Sequence, residues 1–217
     1  MSDARQNILE KIRQANQHVP QVDSSGIVSE RLQRHPRGPH PQWNEDLLTR
    51  FTHKVEQAAA SYADVKTDQD IVNAVMAYLA EHSLEEKLVR TFTPILNELN
   101  WPASMQVETR AATSLDMVVL VEADAAIAET GSVVICSSEN TPVSLNFLPD
   151  HYLCVVRKNS IVNTMEDIWD PIRQNSPMLP RAINIITGPS RTADVEQIIQ
   201  MGAHGPRRVH LLLLDQD

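Results

Sequence analysis

Ile186-Thr-Gly-Pro-Ser-Arg-Thr-Ala-Asp-Val-Glu196 concentrates more chemical capability than any other stretch of the chain. It follows the apolar run Ile183-Asn-Ile-Ile-Thr187, and its pattern predicts a helix over 193–201. A helix start carries unpaired N–H groups and roughly half a positive charge, so it attracts anions. Ser190 and Thr192 would add hydroxyl donors, and Arg191 can grip a carboxylate or phosphate with two parallel hydrogen bonds. Gly188 bends the chain into this loop. Asp194, in the first turn of that helix, either steadies the dipole or faces the site as an acid or base. The plainer reading stands beside this one: Ser190 or Thr192 caps a helix, Gly188 makes a turn, and Arg191 is solvated. Neither G-x-x-x-x-G-K-[ST] nor G-x-G-x-x-G is present, so the segment is not a nucleotide-phosphate loop of either kind.

A second segment, Ala123-Asp-Ala-Ala-Ile-Ala-Glu-Thr-Gly131, leads into the strand-like run Ser132–Cys136. Glu129 at such a junction can serve as nucleophile or general acid/base, or it caps a helix or faces water. Thr130 and Gly131 beside it would contribute a hydroxyl and a closely approaching backbone, since glycine tolerates positive φ. In a third segment, Asn146-Phe-Leu-Pro-Asp-His151, Asp150 and His151 adjoin an apolar strand. His151 is read either as a binding group or as a structural histidine. His204, between Gly202 and Gly205, is a ligand candidate or a simple C-terminal helix cap. The eight histidines form no i, i+4 pair with a glutamate between them, and there is no C-x-x-C, so neither a metal nor a cofactor is expected.

The elements that must position these groups follow from periodicity. Ile8, Ile12 and Ala15 mark one stripe of a helix over 3–17. Arg34-His-Pro-Arg-Gly-Pro-His-Pro41 cannot be helical, so residues 1–35 read as a helical arm and linker ahead of a body at 36–217. The one-sided helix of the arm must dock on the body or on a second copy of the chain. Leu47, Leu48, Phe51, Val55 and Ala58 give a second helix. Thr67-Asp-Gln-Asp70 opens a third, with Ile71, Val72, Val75, Met76 and Leu79 on its core face. Beyond Lys87, apolar runs at 88–92, 105–109, 118–121, 132–136, 152–156, 182–187 and 209–214 read as strands. Helical stretches at 94–99, 164–173 and 193–201 separate several of them. Continuous Val/Ile-rich strands alternating with helices predict an α/β fold with a mostly parallel sheet covered on both faces. Ligands of such sheets settle at the carboxyl ends of the strands.

Composition narrows the functional classes. With 217 residues, 42% hydrophobic and 22% charged, the chain can bury a full core. A net charge of −9 argues against a nucleic-acid partner, which demands clustered cations, but leaves room for a small organic acid held by a few basic groups. The polar start Met1–Asn7 is no signal core, and no apolar run reaches the ~18 residues of a membrane span, so a cytoplasmic location is expected. Cys136 and Cys154 both lie in apolar runs and read as buried, reduced thiols. Two cysteines cannot supply the roughly four thiolates of an iron–sulfur cluster.

Ala126–Ser132, Leu148-Pro-Asp-His151, Ile186–Glu196 and Gly202-Ala-His-Gly-Pro206 resemble, in order and spacing, the LUD-domain family, nearest its short single-domain members of the lactate-utilization protein C type. Arg37-Gly-Pro39 is similar to the start of that domain, and Val195 stands where the family usually has isoleucine. The resemblance implies a fold similar to the ribose-phosphate isomerase/CoA-transferase-like class. It also implies a part in oxidising L-lactate to pyruvate beside two iron–sulfur partner proteins, with this chain as a non-redox subunit. It brings no established catalytic residue. An alternative function is an autonomous acyl- or CoA-transferase or isomerase, with Glu129 acting in one pocket with Arg191.

Overall fold

The computed structural model describes residues 2–17, 24–175, 178–192, 200–202 and 204–215. The chain divides into two compact units, Met1–Pro41 and Gln42–Asp217. The first holds α1 (Ser2–Gln17) and α2 (Ser24–Arg34). Ile8, Ile12, Val28 and Leu32 are exposed on these helices. Nothing in the periodicity singles out α2. Residues 35–43, which contain the Pro-rich stretch, have neither helix nor strand.

The second unit is built on a six-stranded sheet in the order β1-β12-β7-β4-β2-β3. Its strands are β1 (Ser61–Val65), β2 (Lys87–Arg90), β3 (Gln106–Thr109), β4 (Val118–Glu122), β7 (His151–Arg157) and β12 (Arg208–Leu214), all parallel. Along β4, Val118 and Leu120 enter one core while Val119 and Val121 enter the other. The same alternation runs along β7, with Leu153 and Val155 on one face and Tyr152, Cys154 and Val156 on the other. These strands read as unbroken apolar runs because each successive side chain meets a different buried layer.

One layer consists of α4 (Asp68–Glu81) and α5 (Pro94–Glu98). The Thr67 side chain accepts from Asp70 N, and Asp70 accepts from Thr67 N, so the expected capping box starts α4. Ile71, Val72, Val75, Tyr78 and Leu79 are its buried face. The other layer is α3 (Leu47–Gln57) and a second sheet, ordered β8-β5-β6-β9. It comprises β5 (Ala125–Ile127), β6 (Ser132–Cys136), β8 (Ile161–Val162) and β9 (Ile183–Ile186). Here β6 runs antiparallel to both β5 and β9. Beyond this sheet, Ile168 and Ile172 close a third cluster with Ala125, Ile127 and Val134. Ile168 ends a 3-10 turn, Met165–Ile168, and Ile172 lies on α6 (Trp169–Asn175). The turn starts with the capping box foreseen at Thr164 and Asp167.

The α/β class with a mostly parallel central sheet flanked by helices is therefore present, with one rearrangement. The runs at 132–136 and 182–187 are not members of the parallel sheet. They form the antiparallel layer packed on it. Cys154 is fully buried, whereas Cys136 is half-buried, and both are free thiols. Among the described residues no helix is long and apolar enough to cross a membrane.

Candidate functional site

Titratable side chains gather at the amino end of the parallel sheet. Register sets Ser61 beside His210 and Arg208 beside His151. Register partners point to the same face, as do residues two apart on a strand. Because Leu153 and Leu212 belong to the α4-side core, His151, Arg208, His210 and Ser61 form a row on that face. The crossover from β1 to β2 returns α4 antiparallel to the strands, so its last turn arrives over the row.

That last turn brings Tyr78 and His82. Tyr78 Oη and His151 Nδ1 are hydrogen-bonded at 3.0 Å, and Ser61 Oγ and His210 Nδ1 at 2.8 Å. The Tyr78 ring stands edge-on to His82 at 4.3 Å between centroids and tilts over His210 at 4.9 Å. The row and the helix end line a cleft of about 1010 Å³, walled also by Ala60, Met117, Pro189 and Asp150. Arg207 and Arg208 both line it. Arg207 Nε lies 3.5 Å from Asp150 Oδ2, whereas Arg208 has no ion pair among the described residues. Burial lowers the affinity of His151 for a proton, and the nearby His82 and Arg208 lower it further. Burial brings His210 down to about 4, and pushes the Tyr78 phenol up to about 12. At neutral pH the cleft thus presents two neutral imidazoles, a protonated phenol, the Glu81 carboxylate and the Arg208 guanidinium, which has no ion pair among the described residues. It can bind an anion and hydrogen-bond an adjacent oxygen.

Backbone hydrogen bonds tie three of the four sequence segments to this cleft. Arg207 N and Arg208 N both donate to Asp150 O, at 2.8 and 3.0 Å. Ser190 N donates to Pro206 O, and Gly202 N to Ser190 O, each at 2.9 Å. Segments 148–151 and 186–192, together with Gly202 and Pro206, therefore meet at one rim.

The model of the LUD domain matches residues 1–214. The chain belongs to the LUD domain family. YkgG of Escherichia coli K12 is 30% identical over 183 residues, which cover 80% of this chain and 78% of that protein. Lactate utilization protein C of Bacillus subtilis is 42% identical over 91 residues, 41% of this chain and 38% of that protein. A DUF162 family protein from Deinococcus radiodurans, known as a crystal structure, superposes with a TM-score of 0.55 at 18% identity. That match covers 80% of this chain and 99% of the other.

Within this LUD domain the remaining motif residues occupy a different place from the cleft. Gly131 (φ +69°) and Gly188 (φ +68°) both press on the C-terminal half of α3. Between them runs a chain of hydroxyls: Thr130 Oγ1 bonds Ser132 Oγ, and Ser132 Oγ bonds Thr187 Oγ1, each at 2.6 Å. Segments 129–132 and 187–188 are thus brought together as a clamp on α3. Arg191 donates to Ala58 O at the end of that helix, at 3.1 Å. Glu129 is half-buried and accepts from Met165 N at 3.1 Å, which caps the 3-10 turn. Glu129 is absent from the cleft lining, and no hydrogen bond or ion pair joins it to Arg191 among the described residues.

Of the helix expected over 193–201, Gln200 and Met201 are the described residues. β10 (Arg191–Thr192) and β11 (Gln200–Met201) pair antiparallel, so the last two residues of the expected helix are strand instead. Asp194, with the rest of 193–199, lies outside the described residues. The expectation of a ligand at strand carboxyl ends rested on placing 183–187 in the parallel sheet. As a strand of the antiparallel layer, β9 instead delivers Pro189 to the amino end. His204 is exposed, and Gln200–Met201 shortly before it are strand.

Sequence reasoning found His151 but missed Tyr78, His82, Arg208 and His210. One signal was available. In Val209-His-Leu-Leu-Leu-Leu214 a histidine interrupts a strand buried on both faces, which demands a polar neighbour.

The depressed histidines make acid stability a direct readout of the cleft. Below the ordinary histidine value of about 6.5 the unfolded chain takes up protons that the folded cleft refuses, so stability falls with pH. For His210 the loss accumulates from pH about 6.5 down to about 4. It reaches roughly 2 kcal/mol after allowance for partial solvent access. Asp116, held below the usual carboxylate range by Arg110, loses its contribution only below about pH 3.8 and does not overlap this window. Denaturant unfolding at pH 7, 6 and 5 should show a falling midpoint, with a shallower fall in His210→Gln. A midpoint that stays level from pH 7 to 5 contradicts this assignment.

Proposed function

We propose that this LUD-domain chain is a non-redox component of a cytoplasmic lactate-utilization system, oxidising L-lactate to pyruvate together with iron–sulfur proteins. Its cleft at the amino end of the sheet binds a small carboxylate. The observation that carries the site assignment is the meeting of three motif segments at the rim of a cleft whose Arg208 has no ion pair among the described residues. Names of relatives from Bacillus subtilis and Geobacillus kaustophilus support the pathway. The cysteine content supports the division of labour. Two thiols, one of them fully buried, cannot supply the roughly four thiolates of an iron–sulfur cluster, so in this reading the clusters sit on the partner proteins. Burial also pushes the Cys136 thiol up to about 12, which leaves it a poor metal ligand at neutral pH.

Arg208 takes the carboxylate in this reading, and the neutral imidazoles and phenol beside it accommodate the rest of a small acid. The partnership is tested by purifying the tagged chain from its native cell at moderate salt. Iron and acid-labile sulfide should co-elute with it in proteins of the lactate-oxidising system. Elution of the chain free of iron–sulfur proteins overturns the complex.

A further inference from the structure

We infer that Tyr78 and His151 form the specificity-determining pair of the cleft, recognising an oxygen on the carbon next to the bound carboxylate. This rests on the carboxylate reading given above. The pair is directly hydrogen-bonded at 3.0 Å, and both members line the cleft that Arg208 lines. Arg208 is the register partner of His151 on the neighbouring strand, so their side chains leave the sheet side by side. A carboxylate on Arg208 therefore carries its C2 substituent toward the imidazole.

Each member keeps one hydrogen-bonding valence for that substituent. His151 is neutral at physiological pH, and when its Nδ1 accepts from the Tyr78 hydroxyl its Nε2 must carry the proton. Nε2–H then donates to a C2 oxygen, while the second lone pair of the Tyr78 oxygen accepts from a C2 hydroxyl. A 2-hydroxy acid satisfies both groups, and a 2-oxo acid satisfies the donor. An acid with methylene at C2 satisfies neither and leaves a half-buried donor unpaired, which costs affinity. His210 is not equivalent: its Nδ1 is engaged by Ser61, one strand further from Arg208's register partner. His82, the C-cap of α4, meets the pair ring to ring.

The test is calorimetric titration of the full-length chain with propionate, L-lactate and pyruvate, for wild type, Tyr78→Phe and His151→Gln. Tyr78→Phe keeps the buried ring and deletes only the hydroxyl. Wild type should bind L-lactate on the order of tenfold more tightly than propionate, as one satisfied hydrogen bond implies. In both variants the lactate-to-propionate ratio should fall to near one, because the groups that discriminate at C2 are gone. Equal binding of the three acids by wild type, or an unchanged ratio in Tyr78→Phe, overturns the role of the pair while leaving the carboxylate site standing. Failure of all three acids to bind overturns the carboxylate site, and the pair's role with it.

Discussion

Gly131→Ala should lower the stability of the domain by about 3 kcal/mol. Two costs combine. Gly131 has φ +69°, a left-handed conformation that side chains disfavour by roughly 1–2 kcal/mol. An added Cβ would also meet backbone on α3, at 2.5 Å from both Lys54 C and Val55 N. Backbone cannot swing aside as a side chain can, so either α3 or the β5–β6 hairpin must shift. Gly188→Ala faces the same two costs, with its Cβ 2.3 Å from Ala58 O and φ +68°. Gly205→Ala is the control: its nearest contact is 3.3 Å, to the Ser190 side chain, and the change should cost below about 1 kcal/mol. Denaturant unfolding of the three variants decides the matter. A loss under about 1 kcal/mol for Gly131→Ala would mean that the clamp on α3 is not as described.

Arg208→Ala should weaken binding of L-lactate and pyruvate by about 1.5–3 kcal/mol, that is roughly 10- to 150-fold. The guanidinium is exposed at the rim, which places the loss toward the lower part of that range. Arg191→Ala should leave the affinity unchanged, because its guanidinium is engaged with Ala58 O. The comparison separates the cleft from the loop that first attracts attention in the sequence. Equal losses in the two variants, or a loss confined to Arg191→Ala, would move the anion site to the 188–192 loop. Raising the salt should weaken wild-type binding, since the Debye length over which an exposed charge attracts an anion shortens from about 10 Å at 0.1 M to about 3 Å at 1 M.

The architecture was largely legible because burial writes itself into strands. Val118–Val121 and Tyr152–Val156 are continuously apolar since alternate residues face α4 and α3. The Thr67 and Thr164 capping boxes announced two helical starts correctly. What apolar runs do not encode is the neighbour. Ser132–Cys136 and Ile183–Ile186 are just as apolar, yet pair antiparallel in a separate layer. The edge strand Ser61–Val65 went unread because only Val65 is fully buried, and Asp64 instead meets Lys158 at 2.6 Å.

The candidate site was legible only in part, for a related reason. Gly131 and Gly188 could be recognised as backbone-critical, but their partner proved to be α3 rather than a ligand. Tyr78 carries the signature of a core helix residue, and it is indeed 5% exposed while its hydroxyl reaches His151. His82, His151 and His210 are far apart in sequence. The parallel crossover puts the end of α4 and the starts of β7 and β12 at one edge, and no local pattern reports that meeting.

The most direct test of the cleft as the functional site is a crystal structure of the chain soaked with L-lactate. Lactate should lie at the amino end of the parallel sheet, its carboxylate on Arg208 and its hydroxyl within hydrogen-bonding distance of His151 and Tyr78. Lactate bound instead at Arg191, or an unoccupied cleft at saturating lactate, would contradict it.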